Sequence, residues 1–161
     1  MSTEAMSLTA GQIIQQHQKA APVNVSAIAR ALGINVWEMH TLPTNVSGKI
    51  FLDKVNGGAS GYSIGINASE GFRRKRFTVA HEIAHFILHR DKIGDALTDD
   101  AMYRSGLSTR EEVQANNLAA DIIMPIHLIR SLEKQGLVEV SQLAEALQVS
   151  DPAMLVRLSY L

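Results

Sequence analysis

The residues best suited to chemistry form a His-Glu-x-x-His motif at His81, Glu82 and His85. On an α-helix, residues four apart lie one turn apart on nearly the same face, so both imidazoles can bind one metal ion. Neutral histidines at this spacing are typical zinc ligands. Glu82 points elsewhere, but its carboxylate can reach a water at an open coordination position and act first as general base and then as acid. The motif predicts zinc-dependent hydrolysis of a peptide bond.

The motif lies in an apolar stretch, which predicts a buried helix. Burying two histidines and a glutamate without a metal ion or polar partners is unfavourable. The alternative interpretation is a pair of core histidines whose nitrogens are hydrogen-bonded to backbone groups. The apolar context favours the metal site; the residues that provide it are Val79, Ala80, Ile83, Ala84, Ile87 and Leu88.

A catalytic zinc site needs a third protein ligand, and the chain contains no cysteine. The best donors are Glu111 and Glu112, in the first turn of a helix that a capping box is predicted to begin at Ser108. Glutamates in a first turn also complement the helix dipole without binding any ligand. Spacing alone leaves the choice between the two glutamates open.

Four further residues are candidates for supporting roles. His89 continues the His81–His85 stripe; it either orients a neighbouring ligand or, as the pattern favours, is a partly exposed histidine at a helix end. Tyr103 and His127 are each candidates to stabilise an oxyanion. Asn116 either braces the site or packs between helices.

Composition and charge restrict the class of protein. The chain has 161 residues, 46% of them hydrophobic, with a net charge of −1. These values predict a single domain over residues 1–161, with a substantial core and no general attraction to nucleic acid or anionic membranes. The absence of cysteine, of a signal-peptide pattern and of a membrane-length apolar segment predicts a cytoplasmic protein.

Two sequence features resemble DNA-binding elements, but the resemblance is weak. Residues 23–33 and 140–149 each resemble half of a helix-turn-helix, but neither precedes a basic recognition helix. The basic cluster at residues 73–76 is interpreted as a solvated, salt-bridged face. Direct contact with nucleic acid is not expected.

Helical spacing and turn residues predict an α+β order of helices, a small antiparallel sheet and further helices. Helices are predicted at residues 8–20, 23–32, 74–90, 108–124, 125–136, 141–147 and 153–161, and strands at 34–39, 48–53 and 61–67. The last strand is closest in sequence to the His-Glu-x-x-His helix, and we expect it to be an open edge that binds a peptide by strand addition. Its candidate substrate-binding residues are Gly61, Tyr62, Ser63, Ile64 and Gly65.

Two separated motifs resemble the ImmA/IrrE family of metallopeptidases. They are Phe77-Thr-x-Ala-His-Glu-x-x-His and, further on, Glu112-x-x-Ala115-Asn116, which continues to Met124-Pro125. The resemblance implies a gluzincin-like helical core with extra C-terminal helices, Zn²⁺ bound by His81, His85 and Glu112, and Glu82 as the catalytic residue. It therefore favours Glu112 over Glu111.

The sequence departs from the family pattern at Gln114 and Leu118, where relatives often carry glutamate and an aromatic residue. Neither departure is expected to affect the chemistry. The resemblance implies cleavage of a specific helix-turn-helix repressor or antitoxin encoded nearby. The alternative is a non-proteolytic zinc module that binds and neutralises such a regulator, as a phage or toxin–antitoxin component; Glu82 favours the enzyme.

Overall fold

The computed structural model describes residues 8–94 and 107–161, and the predicted α+β order of helices, sheet and helices is confirmed. In these ranges the helices are α1 (Ala10–Gln16), α2 (Val25–Ala31), α3 (Phe72–Leu88), α4 (Thr109–Ile123), α5 (Ile126–Lys134), α6 (Val140–Leu147) and α7 (Asp151–Ser159), with a 3-10 turn at Arg90–Lys92. The strands are β1 (Ile34–Met39), β2 (Gly48–Leu52) and β3 (Tyr62–Asn67). None of the described helices is long and apolar enough to cross a bilayer.

Side-chain caps and turn residues define the limits of the helices that follow α3. The predicted capping box of α4 is present: the Ser108 hydroxyl accepts from the Glu111 backbone N–H at 3.2 Å, and the Glu111 carboxylate accepts from the Ser108 N–H at 2.9 Å. Pro125 is the residue that precedes α5 rather than part of its first turn. Gly136, with φ of 96°, ends this helical segment as predicted.

The three described strands form a mixed sheet in the order β1-β3-β2. The predicted antiparallel pairing is observed between β2 and β3, whereas β1 runs parallel to β3. The parallel pair arises because the chain crosses to β2 at the far side of the sheet before it returns to insert β3 between the two.

The prediction that residues 61–67 form an open edge is wrong. Strand β3 is central, because Tyr62–Asn67 pairs with β1 on one side and with β2 on the other. The backbone groups of the predicted substrate-binding residues, Gly61, Tyr62, Ser63, Ile64 and Gly65, therefore lie in or beside a strand that already has two neighbours. The strand is buried from Ser63 to Asn67, as expected for a strand covered on both faces.

Helix α3 packs against the sheet on one side and against α4 on the other. The core at this junction includes Ile64, Ile83 and Ile122, each with no exposed surface. Burial of each such side chain stabilises the fold by about 1.5–3 kcal/mol. Gly48 permits the close approach of β2 to α3, since a Cβ at this position would lie 2.5 Å from Thr78 Cγ2 and 2.8 Å from Gly65 O.

The basic cluster at the start of α3 is used within the fold. Arg73 donates to Val149 O at 3.1 Å and Arg76 donates to Gln148 O at 3.1 Å. These carbonyls follow the C-terminus of α6, where positive charge is favourable. The other two members of the cluster pair with acidic residues, Arg74 with Glu70 and Lys75 with Glu38. The interpretation of the cluster as a salt-bridged face agrees with these contacts.

Candidate metal centre

Helices α3 and α4 bring three donor atoms to one point. His81 Nε2 lies 3.1 Å from Glu112 Oε1, His85 Nε2 lies 3.1 Å from His81 Nε2, and His85 Nε2 lies 3.3 Å from Glu112 Oε1. Because His81 and His85 are one turn apart on α3, their separation follows from helix geometry. The position of Glu112 depends on the packing of α4 against α3.

This triangle fits a metal ion in both chemistry and size. Around a tetrahedral zinc ion with bonds of about 2.0–2.2 Å, neighbouring ligand atoms are about 3.3–3.6 Å apart. The three observed separations of 3.1–3.3 Å are close to this range. Two imidazole nitrogens and one carboxylate oxygen form a donor set typical of catalytic zinc. His81, His85 and Glu112 can therefore hold a metal ion.

The protonation states of the three donor residues differ. The pKa of His85 is lowered to about 4 because the ring is buried and lies beside His81. Burial opposes protonation of His81, but its hydrogen bond to Glu112 and the nearby carboxylates outweigh burial and raise the pKa of His81. The hydrogen bond from His81 in turn lowers the pKa of Glu112. At neutral pH, His85 is therefore neutral and Glu112 is ionised, as a metal site requires, whereas a metal ion must displace the proton that the raised pKa favours on His81.

Glu82 lies at the same site as the three donors. It is buried, with 7% of its surface exposed, and it lines a cleft of about 710 Å³ together with His81, His85 and Glu112. The structure therefore brings the whole motif into one cleft.

Strand β2 borders this cleft with the edge that faces away from β3. Hydrogen bonds from Asn67 N to Ser47 O and from Asp53 N to Gly61 O show which residue pairs of the β2–β3 ladder are hydrogen-bonded. Such pairs alternate along antiparallel strands, so the backbone N–H and C=O groups of Gly48, Ile50 and Leu52 point away from β3.

The outward groups of β2 differ in their use. Leu52 N donates to Gly94 O at 3.0 Å, whereas the N–H groups of Gly48 and Ile50 have no hydrogen bond to another described residue. Gly48 and Ile50 also line the cleft that contains the motif. The edge strand beside the histidines is therefore β2, not β3.

The two candidate glutamates have separate roles. Glu111 completes the α4 capping box and pairs with Lys92, and this pairing lowers the pKa of Glu111 to about 2. Glu112 is the glutamate within reach of both histidines. Asn116, one turn further along α4, also lines the cleft.

His89 is buried, with 5% of its surface exposed, so its interpretation as a partly exposed helix-end histidine is wrong. Its Nδ1 lies 3.0 Å from His85 Nδ1 and its Nε2 lies 2.9 Å from Gln114 Oε1. Gln114 therefore contacts the site, contrary to the expectation from sequence. From the sequence, polar partners for His89 could have been expected only by assuming that it is buried, because a buried histidine needs partners on both ring nitrogens.

His127, one of the two oxyanion candidates, does not lie at the metal centre. His127 lines a second cavity together with Asp121, Arg130 and Arg157. Its Nε2 is 2.7 Å from Gln18 O. The prediction of an oxyanion role for His127 is therefore wrong, because α5 turns this residue away from the cleft that contains Glu82. Tyr103 lies outside the described residues.

Comparisons with known proteins agree with this geometry. The model of the Peptidase_M78 family, described as the IrrE N-terminal-like domain, matches residues 29–159. Among solved structures, the chain is similar to a Mycobacterium tuberculosis transcriptional regulator, with a TM-score of 0.60 and 12% sequence identity. The similarity covers 93% of this chain but only 46% of that regulator, and at this identity it concerns the fold alone. No curated protein matches the sequence.

Proposed function

The chain belongs to the Peptidase_M78 family of IrrE N-terminal-like domains, and from this we propose that it is a zinc-dependent endopeptidase that cleaves a helix-turn-helix repressor or antitoxin. The observation that carries the proposal is the triangle of His81, His85 and Glu112 donor atoms, 3.1–3.3 Å apart, in one cleft with Glu82. The family resemblance of the sequence is confirmed.

Residues of this chain supply the proton transfers. When bound, a zinc ion polarises the scissile carbonyl and acidifies water, so no protein nucleophile is needed. Glu82 takes a proton from the attacking water and returns it to the leaving amine. The buried position of Glu82 favours this role, since a carboxylate in a cleft shielded from bulk water is held close to the reacting atoms.

The edge of β2, where no other described residue bonds the N–H groups of Gly48 and Ile50, would provide a path for the substrate backbone. An extended peptide that pairs with Gly48 and Ile50 would continue the sheet and run past the donor triangle. Main-chain hydrogen bonds supply affinity but little discrimination between sequences. Side-chain selectivity must come from the rest of the cleft wall, to which Arg73, Arg74 and Lys92 contribute.

The competing proposal is a non-proteolytic module that binds and neutralises a helix-turn-helix regulator through the same cleft. A structural zinc site is normally closed by four protein ligands. Here the described cluster has three, and a carboxylate that is no ligand lies beside them. This arrangement favours catalysis.

Zinc binding is the first testable consequence. Protein purified without chelator should contain about one zinc per chain, because one three-donor site with an open position binds one ion. Replacing His81 with alanine should reduce the zinc content to background when measured by mass spectrometry of the metal. Full zinc occupancy in the His81→Ala protein would exclude His81 from the ligand set.

Selective proteolysis of a partner is the second consequence. The net charge of −1 gives no general long-range attraction to nucleic acid, so we propose that the partner is the regulator protein rather than its DNA site. The zinc-loaded protein should cut a helix-turn-helix regulator encoded beside it at a flexible interdomain segment, and should cut casein slowly or not at all. Gel analysis of parallel digests, with chelator added to one set, measures both. Rapid digestion of casein, or a regulator that is neither bound nor cut, would refute the assigned substrate while leaving zinc binding intact.

A further inference from the structure

A chain of hydrogen bonds links α4 to the metal donors through the buried end of α3. Gln114 Oε1 lies 2.9 Å from His89 Nε2, and His89 Nδ1 lies 3.0 Å from His85 Nδ1. We propose that Gln114 and His89 are positioning residues that hold the proton of His85 on Nδ1 and so leave its Nε2 free to bind the metal. The inference rests on the metal-binding part of the proposed function.

The direction of each hydrogen bond follows from the chemistry of its atoms. An amide oxygen only accepts, so His89 Nε2 must donate its proton to Gln114 Oε1. A neutral imidazole has one N–H, and His89 Nδ1 is then an acceptor. His85 Nδ1 must donate to it, which leaves the lone pair of His85 on Nε2. That nitrogen is the one 3.1 Å from His81 Nε2 and 3.3 Å from Glu112 Oε1.

The packing of α3 fixes both rings. The centroids of the His85 and His89 rings are 5.2 Å apart, and the His89 backbone N–H donates to His85 O at 2.7 Å. Both rings are buried, with 3% and 5% of their surfaces exposed, so their hydrogen bonds are stronger than they would be in water. Glu112 and Gln114 belong to the same helix, so one packing contact between α3 and α4 positions both a metal donor and the terminal acceptor.

Loss of the Gln114 oxygen would allow the opposite tautomers of His89 and His85. Without the Gln114 oxygen, His89 is free to carry its proton on Nδ1 and donate it to His85 Nδ1. His85 would then carry its own proton on Nε2, where it competes with the metal. Removing a residue that orients a metal-binding histidine typically lowers metal affinity about 10–100-fold.

The test compares variants of an exposed residue, which avoids opening the core. Gln114→Leu removes the acceptor, Gln114→Glu keeps an acceptor oxygen at the same side-chain length, and Asn117→Leu is the control for an apolar substitution on the exposed surface of α4. Chelator competition should show zinc affinity about 10–100-fold weaker in Gln114→Leu. Gln114→Glu and Asn117→Leu should bind zinc at least nearly as tightly as the wild type, and all three metal-free proteins should unfold at similar temperatures.

A second measurement reads the tautomer without any metal. In the ¹⁵N spectrum of the metal-free wild-type protein, His85 should be protonated on Nδ1 and His89 on Nε2. In Gln114→Leu, each ring should show a mixture of its two tautomers. Wild-type zinc affinity in Gln114→Leu, equal losses in Gln114→Leu and Gln114→Glu, or a wild-type His85 with its proton on Nε2 would each overturn the inference. A wild-type protein that binds no zinc would instead refute the proposed function, and the tautomer measurement would still decide the hydrogen-bond chain.

Discussion

Replacement of Glu82 by glutamine should abolish peptide-bond cleavage and leave folding and zinc binding unchanged. The amide has nearly the shape of the carboxylate, so the packing around this buried residue is kept. It cannot take a proton from water, and loss of a general base typically costs about 10²–10⁴-fold in rate. Because Glu82 is not one of the three donor residues, zinc occupancy should match that of the wild type.

The control for this variant is Glu133→Gln, which makes the same chemical change at an exposed position of α5. Rates of regulator cleavage and zinc contents are measured for the three proteins side by side. A Glu82→Gln protein that cleaves at the wild-type rate would exclude Glu82 as the base. A wild type that binds the regulator without cleaving it would instead favour the non-proteolytic alternative. Loss of zinc in this variant would assign Glu82 a role in binding the metal.

The features that the sequence predicted correctly are local. His81 and His85 meet because a helical turn brings residues four apart together, whatever the rest of the fold does. The Ser108–Glu111 capping box is equally local, since it involves atoms within one turn of helix. Both features needed only the assignment of a helix, which the spacing of apolar residues provided.

The features that the sequence did not predict depend on packing between distant elements. Alternation of polar and apolar residues identifies β3 as a strand, but strand order is set by how the three strands and α3 close one core, so the central position of β3 was missed. The burial of His89 likewise depends on α4, which supplies Gln114 as its partner. His127 was separated from the cleft by the direction of α5, which no local pattern encodes.

The choice between Glu111 and Glu112 is of the same kind. Spacing left it open, and only the family resemblance favoured Glu112. The packed helices now place Glu112 3.1 Å from His81, while Glu111 contacts Ser108 and Lys92. This contrast gives a pair of adjacent substitutions with opposite expected effects.

Glu112→Ala should remove most of the zinc affinity, whereas Glu111→Ala should retain it. Loss of one of three protein donors should weaken zinc binding by at least about 100-fold, the upper end of the cost of losing a residue that merely supports a ligand. Glu111→Ala removes the capping box and the contact with Lys92, so it should slightly lower the unfolding temperature of the metal-free protein.

Thermal unfolding with and without zinc separates the two variants. At a free zinc concentration of 100 times the wild-type dissociation constant, binding stabilises the wild type by about 2.7 kcal/mol. For a domain of this size that corresponds to an increase of roughly 5–10 °C in the unfolding temperature. A 100-fold weaker site leaves about 0.4 kcal/mol, or about 1 °C, so Glu112→Ala should show almost no response to zinc. Glu111→Ala should show the full increase from a slightly lower starting temperature; a full zinc response in Glu112→Ala together with none in Glu111→Ala would reverse the assignment of the third ligand.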